Sequence, residues 1–377
     1  MTLSDFMLQK GEAYSNIDTD RMPIFWREHG ARFHQAKIVQ IVGTNGKGST
    51  GRILALAALG SDLYVGHFTS PHLFSFNERF WLNGAEADEA TLEKAHRKVL
   101  AKIGDWAEKL SYFEYSAVLA IELFARCDLM ILEAGLGGEF DATSVFNQDL
   151  LLVTPIDYDH QALLGETIEK IAETKLRAMR SSAILAEQLH DEVYTIAGRI
   201  ASERGFQAIG AADLAGDLQA FAVRNTPPFT AINRQLAFAA AQFLGIETTI
   251  DDLAIAPIFG RMSKIAQNIT IDVGHNPHAA IAVARAFCDR QVTLIYNSYF
   301  DKDFAAVLRI LKPIVTRCLI IEISNPRIAK KSELVQALSR ERIEWADFDG
   351  VLNDGENYLV FGSFCVVEAF MRAFNAR

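Results

Sequence analysis

Three short stretches carry residues able to handle phosphate and metal. The first is "IVGTNGKGST" (41–50). Gly43, Gly46 and Gly48 permit a tight turn and close backbone approach where an apolar strand ends. The unpaired N–H groups at the start of the following helix suit a phosphate. Lys47 supplies a cation for the β- and γ-phosphates. The stretch departs twice from the G-x-x-x-x-G-K-[ST] pattern: Ile41 stands at the first glycine, and Gly48 follows Lys47 where a hydroxyl residue belongs. A hydroxyl for Mg²⁺ must then come from elsewhere.

In the second stretch, "LMILEAGLGGEFDATSVF" (129–146), Glu133 closes another apolar strand. Beside a phosphate loop, a carboxylate there is placed to bind metal. In the third, "TPIDYDHQALLG" (154–165), His160 follows Asp157 and Asp159. By itself it fits a metal ligand and a satisfied polar residue equally. Lys175, near Glu169 and Glu173, reads locally as part of a solvated helix face. Ser70 precedes Pro71, which disfavours helix, so "TSPH" (69–72) is a loop. Arg261 sits in "FGRMS" (259–263) as a plausible exposed residue. Asp272, His275 and Asn276 in "IDVGHNPHAA" (271–280) fall at a strand's carboxyl edge, where open α/β sheets bind ligands. Asn276-Pro277 equally fits a turn and a helix start.

These positions need a frame of alternating strands and helices. Apolar runs at 37–43, 128–135, 149–156 and 182–187 lack period-2 polarity, as strands covered on both faces do. Helical runs fit 49–59, 88–110, 114–126, 166–180 and 233–244. A second series has strands at 268–274, 292–298, 318–324 and 357–363, with helices at 278–288, 303–313, 331–341 and 364–375. Asp303 is available as a cap and Pro313 closes that helix. The pattern predicts a doubly wound, mostly parallel α/β domain followed by a smaller Rossmann-like one. Pro257 and Gly260 punctuate the change. The expected division is 1–257, a linker at 258–267, and 268–377, with the active site in the cleft between domains.

Bulk properties narrow the function. The chain has 377 residues and a net charge of −10, so no global positive field draws it to nucleic acid or anionic lipid. The four cysteines, Cys127, Cys288, Cys318 and Cys365, form no C-x-x-C, against a zinc site or disulfide framework. The N-terminus has no apolar core run, and no stretch reaches the roughly 20 apolar residues that span a bilayer. A cytoplasmic protein is expected.

Taken in order, the motifs resemble the folylpolyglutamate synthase/dihydrofolate synthase family, a branch of the Mur ligase superfamily. The resemblance runs from about residue 37 to "FGSFCVVEAF" (361–370). It rests on "GTNGKGST", "TSPHL", "EAGLGGEFDATSV", "DYDHQALLG", "GRM" and "DVGHNPHA". Gly48 after the lysine points to the folate branch, because related Mur ligases usually have G-K-[ST]-[ST].

The resemblance implies a site. Thr44, Asn45, Gly46, Lys47, Gly48, Ser49 and Thr50 would hold ATP, with Asn233, Arg261 and Asp272 as further nucleotide contacts. Ser70 and Glu133 would bind one Mg²⁺ and His160 a second. Lys175 occupies the place of a carbamylated lysine (N6-carboxylysine), a metal-binding anion. His275 would lie near the phosphates, and Asp301-Lys302-Asp303 matches a K-D pair. Ser111, Tyr112, Phe113 and Glu114, with Phe140, Asp141 and Ala142, match parts of a pterin pocket. Lys47, Lys175 and His275 are the expected catalytic residues. Two residues depart from the family pattern: Glu139 replaces an arginine and Ser144 an asparagine. "LQKGEAYSNIDTDRMP" (8–23) matches the folate-side segment only loosely.

The implied reaction is ATP-dependent amide formation. L-Glutamate would join dihydropteroate, tetrahydrofolate or a folate polyglutamate through an acyl phosphate, on a monomer with no nucleic-acid or membrane partner. Two alternatives remain at this point: a Mur-type ligase acting on a peptidoglycan precursor, and a nucleotide-binding switch without ligase activity. A NAD-binding Rossmann enzyme fits less well, since "GTNGKG" carries a lysine and lacks G-x-G-x-x-G.

Overall fold

The computed structural model describes residues 1–11, 18–223, 228–253 and 258–375. Part of the loosely matching N-terminal segment, and the boundary residue Pro257, lie outside the described residues. The chain forms two compact units: Met1–Phe221 with Ile232–Ala256, and Ala222–Ala231 with Pro257–Arg377.

The first unit is built on eight strands: β1 (Lys37–Val42), β2 (Val65–Phe68), β3 (Phe80–Leu82), β4 (Ala85–Glu86), β5 (Leu129–Glu133), β6 (Leu150–Val153), β7 (Ala183–Leu185) and β8 (Ala208–Gly210). Their order is β4-β3-β2-β5-β1-β6-β7-β8. All pairings are parallel except β2–β3 and β3–β4. The central strand β1 buries five of its six residues, as a strand covered on both faces must. Register puts Ile41 of β1 beside Glu133 of β5, so the turn after β1 and the acid ending β5 share one sheet edge. Ile38 and Val42 point to the same face. Ile38 packs in a cluster with Phe25, Val99 and Tyr115, and Val42 in one with Ile171, Leu176 and Ile196.

The second unit has six strands: β9 (Ser263–Ala266), β10 (Ile269–Asp272), β11 (Val292–Tyr296), β12 (Val315–Ile320), β13 (Glu344–Asp347) and β14 (Tyr358–Phe361). Their order is β13-β12-β11-β14-β10-β9, parallel but for β9 against β10. Leu294, Leu308, Leu334 and Phe361 are among its fully buried core residues. Helix Phe304–Leu311 is capped by Asp303, whose side chain accepts from Ala306 N. Residues 263–266, expected within a linker, instead form the antiparallel edge strand β9. No described helix is long and apolar enough to cross a membrane.

Candidate active site

The turn after β1 leads directly into helix Lys47–Gly60. Gly43 has φ 140°, and a Cβ there would lie 1.9 Å from Thr154 Oγ1. Only glycine fits, because the neighbouring strand end passes so close. Gly46 caps the helix in the left-handed region, φ 91°. The turn is tied to the strand end beside it. Thr44 N donates to the Pro155 carbonyl, and Thr44 Oγ1 both donates to the Asp157 carbonyl and accepts from Asp157 N at 3.0 Å. Asn45, Gly48 and Ser49 lie half-buried in the turn and first helical turn, with the helix N–H groups behind them.

Two lysines from different helices reach this turn. Lys47 Nζ is 3.4 Å from the Gly43 carbonyl and 3.8 Å from Glu133 Oε1. Lys175, in helix Ile168–Leu176, is 4% exposed, and its Nζ donates to the same carbonyl at 2.9 Å. The local reading of Lys175 as a solvated residue is therefore wrong. Its helix packs so closely on the glycine loop after β5 that a Cβ at Gly138 would sit 2.4 Å from the Lys175 carbonyl. That crossing turns Lys175 inward, on the helical face it shares with Ile168, Ile171, Ala172 and Leu176, a spacing present in the sequence itself.

Glu133 is buried at 4% exposure. Its Oε2 accepts from Thr69 Oγ1 and, at 3.2 Å, from Ser70 N. Ser70 thus meets the carboxylate through its backbone, while the hydroxyl touching it is that of Thr69, which sequence reasoning missed. A hydroxyl anywhere in "TSPH" was a candidate; only the fold chooses between neighbours. One carboxylate with hydroxyls and a phosphate loop suits Mg²⁺, which keeps several waters and binds through one or two carboxylates. Among the described residues, no group of three or more His, Cys, Asp or Glu could hold a metal ion. His160 takes φ 50° ahead of a short helix and faces Asp159 Oδ2 at 3.8 Å. Its neighbourhood also holds a pair the motifs did not suggest: His190 Nε2 lies 3.1 Å from Asp157 Oδ1.

Asn233 comes to the loop as expected. Thr50 Oγ1 donates to Asn233 Oδ1 at 3.3 Å, and that oxygen would be 2.5 Å from a Cβ on Gly46. Helix Pro228–Leu244, which carries Asn233, begins before the expected residue 233.

Of the expected pterin residues, Phe140, Asp141 and Ala142 belong to the loop after β5 and Phe113 packs on it, while Ser111, Tyr112 and Glu114 have other partners. Ser111 and Glu114 form a capping box on helix Tyr112–Leu123, and Arg21 Nε donates to Glu114 Oε2 at 2.7 Å. The Phe113 ring covers Gly135, leaving no room for a Cβ, and the Arg79 guanidinium stacks on the Tyr112 ring. Phe140 is 56% exposed, and Ala142 is buried. Asp141 is buried and spends its acceptors on its own loop: Gly135 N, Leu136 N, Thr143 N and Thr143 Oγ1. Burial raises its carboxyl pKa against the pull of these bonds. Asp141 therefore shapes the loop.

In the second unit, Arg261, Asp272 and His275 collect near the end of β10. Asp272 accepts from Met262 N at 2.9 Å and Gly274 N at 2.7 Å. Burial raises its pKa, and the Arg261 charge opposes the rise. The Arg261 guanidinium lies over the Phe364 ring, so it is no free linker residue. His275 Nδ1 is 3.2 Å from the Val273 carbonyl, and Asn276 caps helix Pro277–Ala286. Asp301 is paired with Arg327, and Lys302 is buried.

No family model matches the chain. It is 30% identical over 376 residues to the dihydrofolate synthase/folylpolyglutamate synthase of Escherichia coli (strain K12), covering 90% of this chain and 87% of that one. The corresponding protein of Haemophilus influenzae is 29% identical over 393 residues, covering 88% of each. Among solved structures, Helicobacter pylori folylpolyglutamate synthetase superposes with a TM-score of 0.78 at 37% identity, covering 100% of this chain and 98% of that one. Escherichia coli FolC in complex with DHPP and ADP gives 0.86 at 28%, with the same coverage. The bifunctional Yersinia pestis enzyme with Mn, AMPPNP and L-glutamate bound gives 0.82 at 26%, again with that coverage.

Proposed function

The chain belongs to the dihydrofolate synthase/folylpolyglutamate synthase family, and from that premise we propose how its residues carry out ATP-dependent, ADP-forming ligation of L-glutamate to dihydropteroate or to the glutamyl tail of a reduced folate. The observation that carries the proposal is the meeting of Lys47 and Lys175 at the Gly43 carbonyl, with the Glu133 carboxylate beside Lys47. A cation and a carboxylate on a glycine turn at a helix start, with the Lys175 nitrogen beside them, make a site for a phosphate chain and its metal.

Thr44 to Thr50 hold the phosphates through backbone N–H groups, with Lys47 against the transferring one. Asn233 serves the nucleotide, and the family resemblance gives Arg261 and Asp272 the same role. Glu133, with Thr69 or Ser70, holds Mg²⁺, and His160 serves a second metal position. Bound Mg²⁺ offsets charge on the phosphates. The protein contributes position and electrostatics, since little covalent work is left to it in phosphoryl transfer. A carboxylate of the pterin substrate takes the γ-phosphoryl group from ATP and ADP leaves. The amine of L-glutamate then displaces phosphate to form the amide. His275, and the Asp301–Lys302–Asp303 stretch, act on this second half. Lys175 as N6-carboxylysine would turn a cation beside Gly43 into an anion. Carbon-13 NMR of the folded protein in ¹³C-bicarbonate, against Lys175→Arg, tests for that CO₂ adduct. On the same reading the chain is a cytoplasmic monomer acting on small molecules, with no nucleic-acid or membrane partner.

The test supplies ATP, Mg²⁺, L-glutamate and either dihydropteroate or a reduced folate, and measures ADP and the conjugated product. No turnover with either pterin overturns the assignment. UDP-sugar peptides in the same assay separate it from a Mur-type ligase, and glutamate-independent ATP hydrolysis would mark a switch. Lys47→Ala should lower the rate about 10³-fold or more, as loss of a main transition-state cation does, with circular dichroism unchanged.

A further inference from the structure

A cavity of about 450 Å³ in the first unit is lined by Glu139, Arg177, Met179, Arg180, Arg204 and Phe206. Three guanidinium groups around one cavity stand out in a chain of net charge −10. They are committed to different degrees. Arg177 Nη2 holds Glu173 Oε1 at 2.6 Å, and its Nε faces Glu139 Oε2 at 3.9 Å. Arg204 Nη1 donates to the carbonyls of Arg177 and Met179, which engages one of its nitrogens and none of its charge. Arg180 is exposed, and its guanidinium makes no hydrogen bond or ion pair with a described residue. Glu139 supplies the single negative charge of the lining. Met179 and Phe206 supply an apolar wall. The combination suits an oxyanion carried on a short aliphatic stem.

The cavity approaches the ligation site through Glu139 and Arg177, while Met179 and Arg180 lead into β7 and Arg204 and Phe206 into β8, at the amino ends of strands parallel to β1. Glu139 N donates to the Thr174 carbonyl at 2.8 Å. Gly138 packs against the backbone of Lys175, whose Nζ donates to Gly43. Arg177 follows Lys175 by two residues.

We propose that this cavity is an anion subsite that takes side carboxylates of a γ-linked glutamyl chain, and that Glu139 limits how strongly it does so. The inference rests on the ligase reading above, because on that reading such a chain arrives as the tail of a polyglutamylated folate. Glu139, which stands where the family resemblance leads one to expect arginine, then has a role: with Arg177 it sets the charge of the cavity.

The experiment uses the full chain and measures binding of γ-linked triglutamate by calorimetry, with inorganic phosphate as a competing anion at fixed ionic strength. Arg180→Glu should weaken triglutamate binding about five- to twentyfold, and Glu139→Gln should tighten it about two- to fivefold, the range expected for partly exposed charges. Opposite signs from two surface changes are not what a general loss of stability would give. Unchanged binding in both variants overturns the subsite. So does displacement of triglutamate by equimolar phosphate, which marks an unselective anion site. Triglutamate binding with both variant effects, in a chain that shows no glutamate-dependent ADP formation, would overturn the ligase reading alone. Turnover with neither variant effect would overturn the subsite alone.

Discussion

His67 is fully buried, and its Nε2 has no hydrogen-bond partner among the described residues. Arg52 Nε donates to Nδ1 at 3.4 Å, which makes Nδ1 the acceptor and leaves the neutral ring's proton on Nε2. Burial, aided by the Arg52 charge, holds its pKa well below the ordinary value of 6.5. A depressed base binds fewer protons folded than unfolded, so stability is lost as pH falls through the unfolded value. As pH falls from 7.5 to 5.5, His67 alone should remove on the order of 1 kcal/mol of stability, read by urea unfolding. His67→Gln, which keeps an acceptor for Arg52 but does not titrate, should flatten that part of the profile. The sequence showed His67 only as a polar residue in an otherwise apolar run. The orphaned ring depends on Gly51, where a Cβ would lie 2.4 Å from Nε2, and no local pattern connects residues 51 and 67. Lys47 and Glu133, by contrast, were legible because each ends an apolar strand or opens the helix after it.

At the scale of elements, the parallel strands were legible and the antiparallel edges were not. β1, β5 and β6 are predominantly apolar and buried almost end to end because both their faces are covered, with Gln40 the one polar residue inside β1. β3 is three residues long and β4 two, and both fall in a stretch rich in Asn, Glu and Arg. β9 is only half-buried, with Lys264 exposed, so "SKIA" resembles a linker. The predicted helix over 88–110 breaks at Gly104, φ 53°, into Glu89–Ile103 and a short turn of helix. The glycine turn between β1 and its helix is the element most sensitive to substitution. Gly43→Ala brings a Cβ within 1.9 Å of Thr154 Oγ1 at a backbone angle L-residues avoid. It should cost about 3 kcal/mol or more in unfolding free energy and weaken ADP binding together, measured by urea titration and calorimetry. The paired variant Gly43→Ala with Thr154→Gly should recover part of the stability loss; recovery of none would show that the contact is not the cause.

At the scale of the molecule, the two-unit build was legible from the two runs of alternating elements, while the assignment of Ala222–Ala231 to the second unit was not. Nothing in the order of strands and helices marks where the chain returns. The fold also predicts where nucleotide acts on stability. ADP with Mg²⁺ at 100 times its dissociation constant should raise the unfolding free energy of the unit that carries the phosphate turn by about 2.7 kcal/mol, and Lys47→Ala should remove most of the gain. Differential scanning calorimetry with and without ligand reads both. The turn proposed to receive this ligand is already fastened on several sides, by Thr154 against Gly43, by Thr44 to Pro155 and Asp157, and by Lys175 to the Gly43 carbonyl. A seat shaped before its occupant arrives has a kinetic signature. In stopped-flow mixing, the observed rate of nucleotide capture should climb in proportion to concentration, with no plateau from a slow rearrangement of the loop.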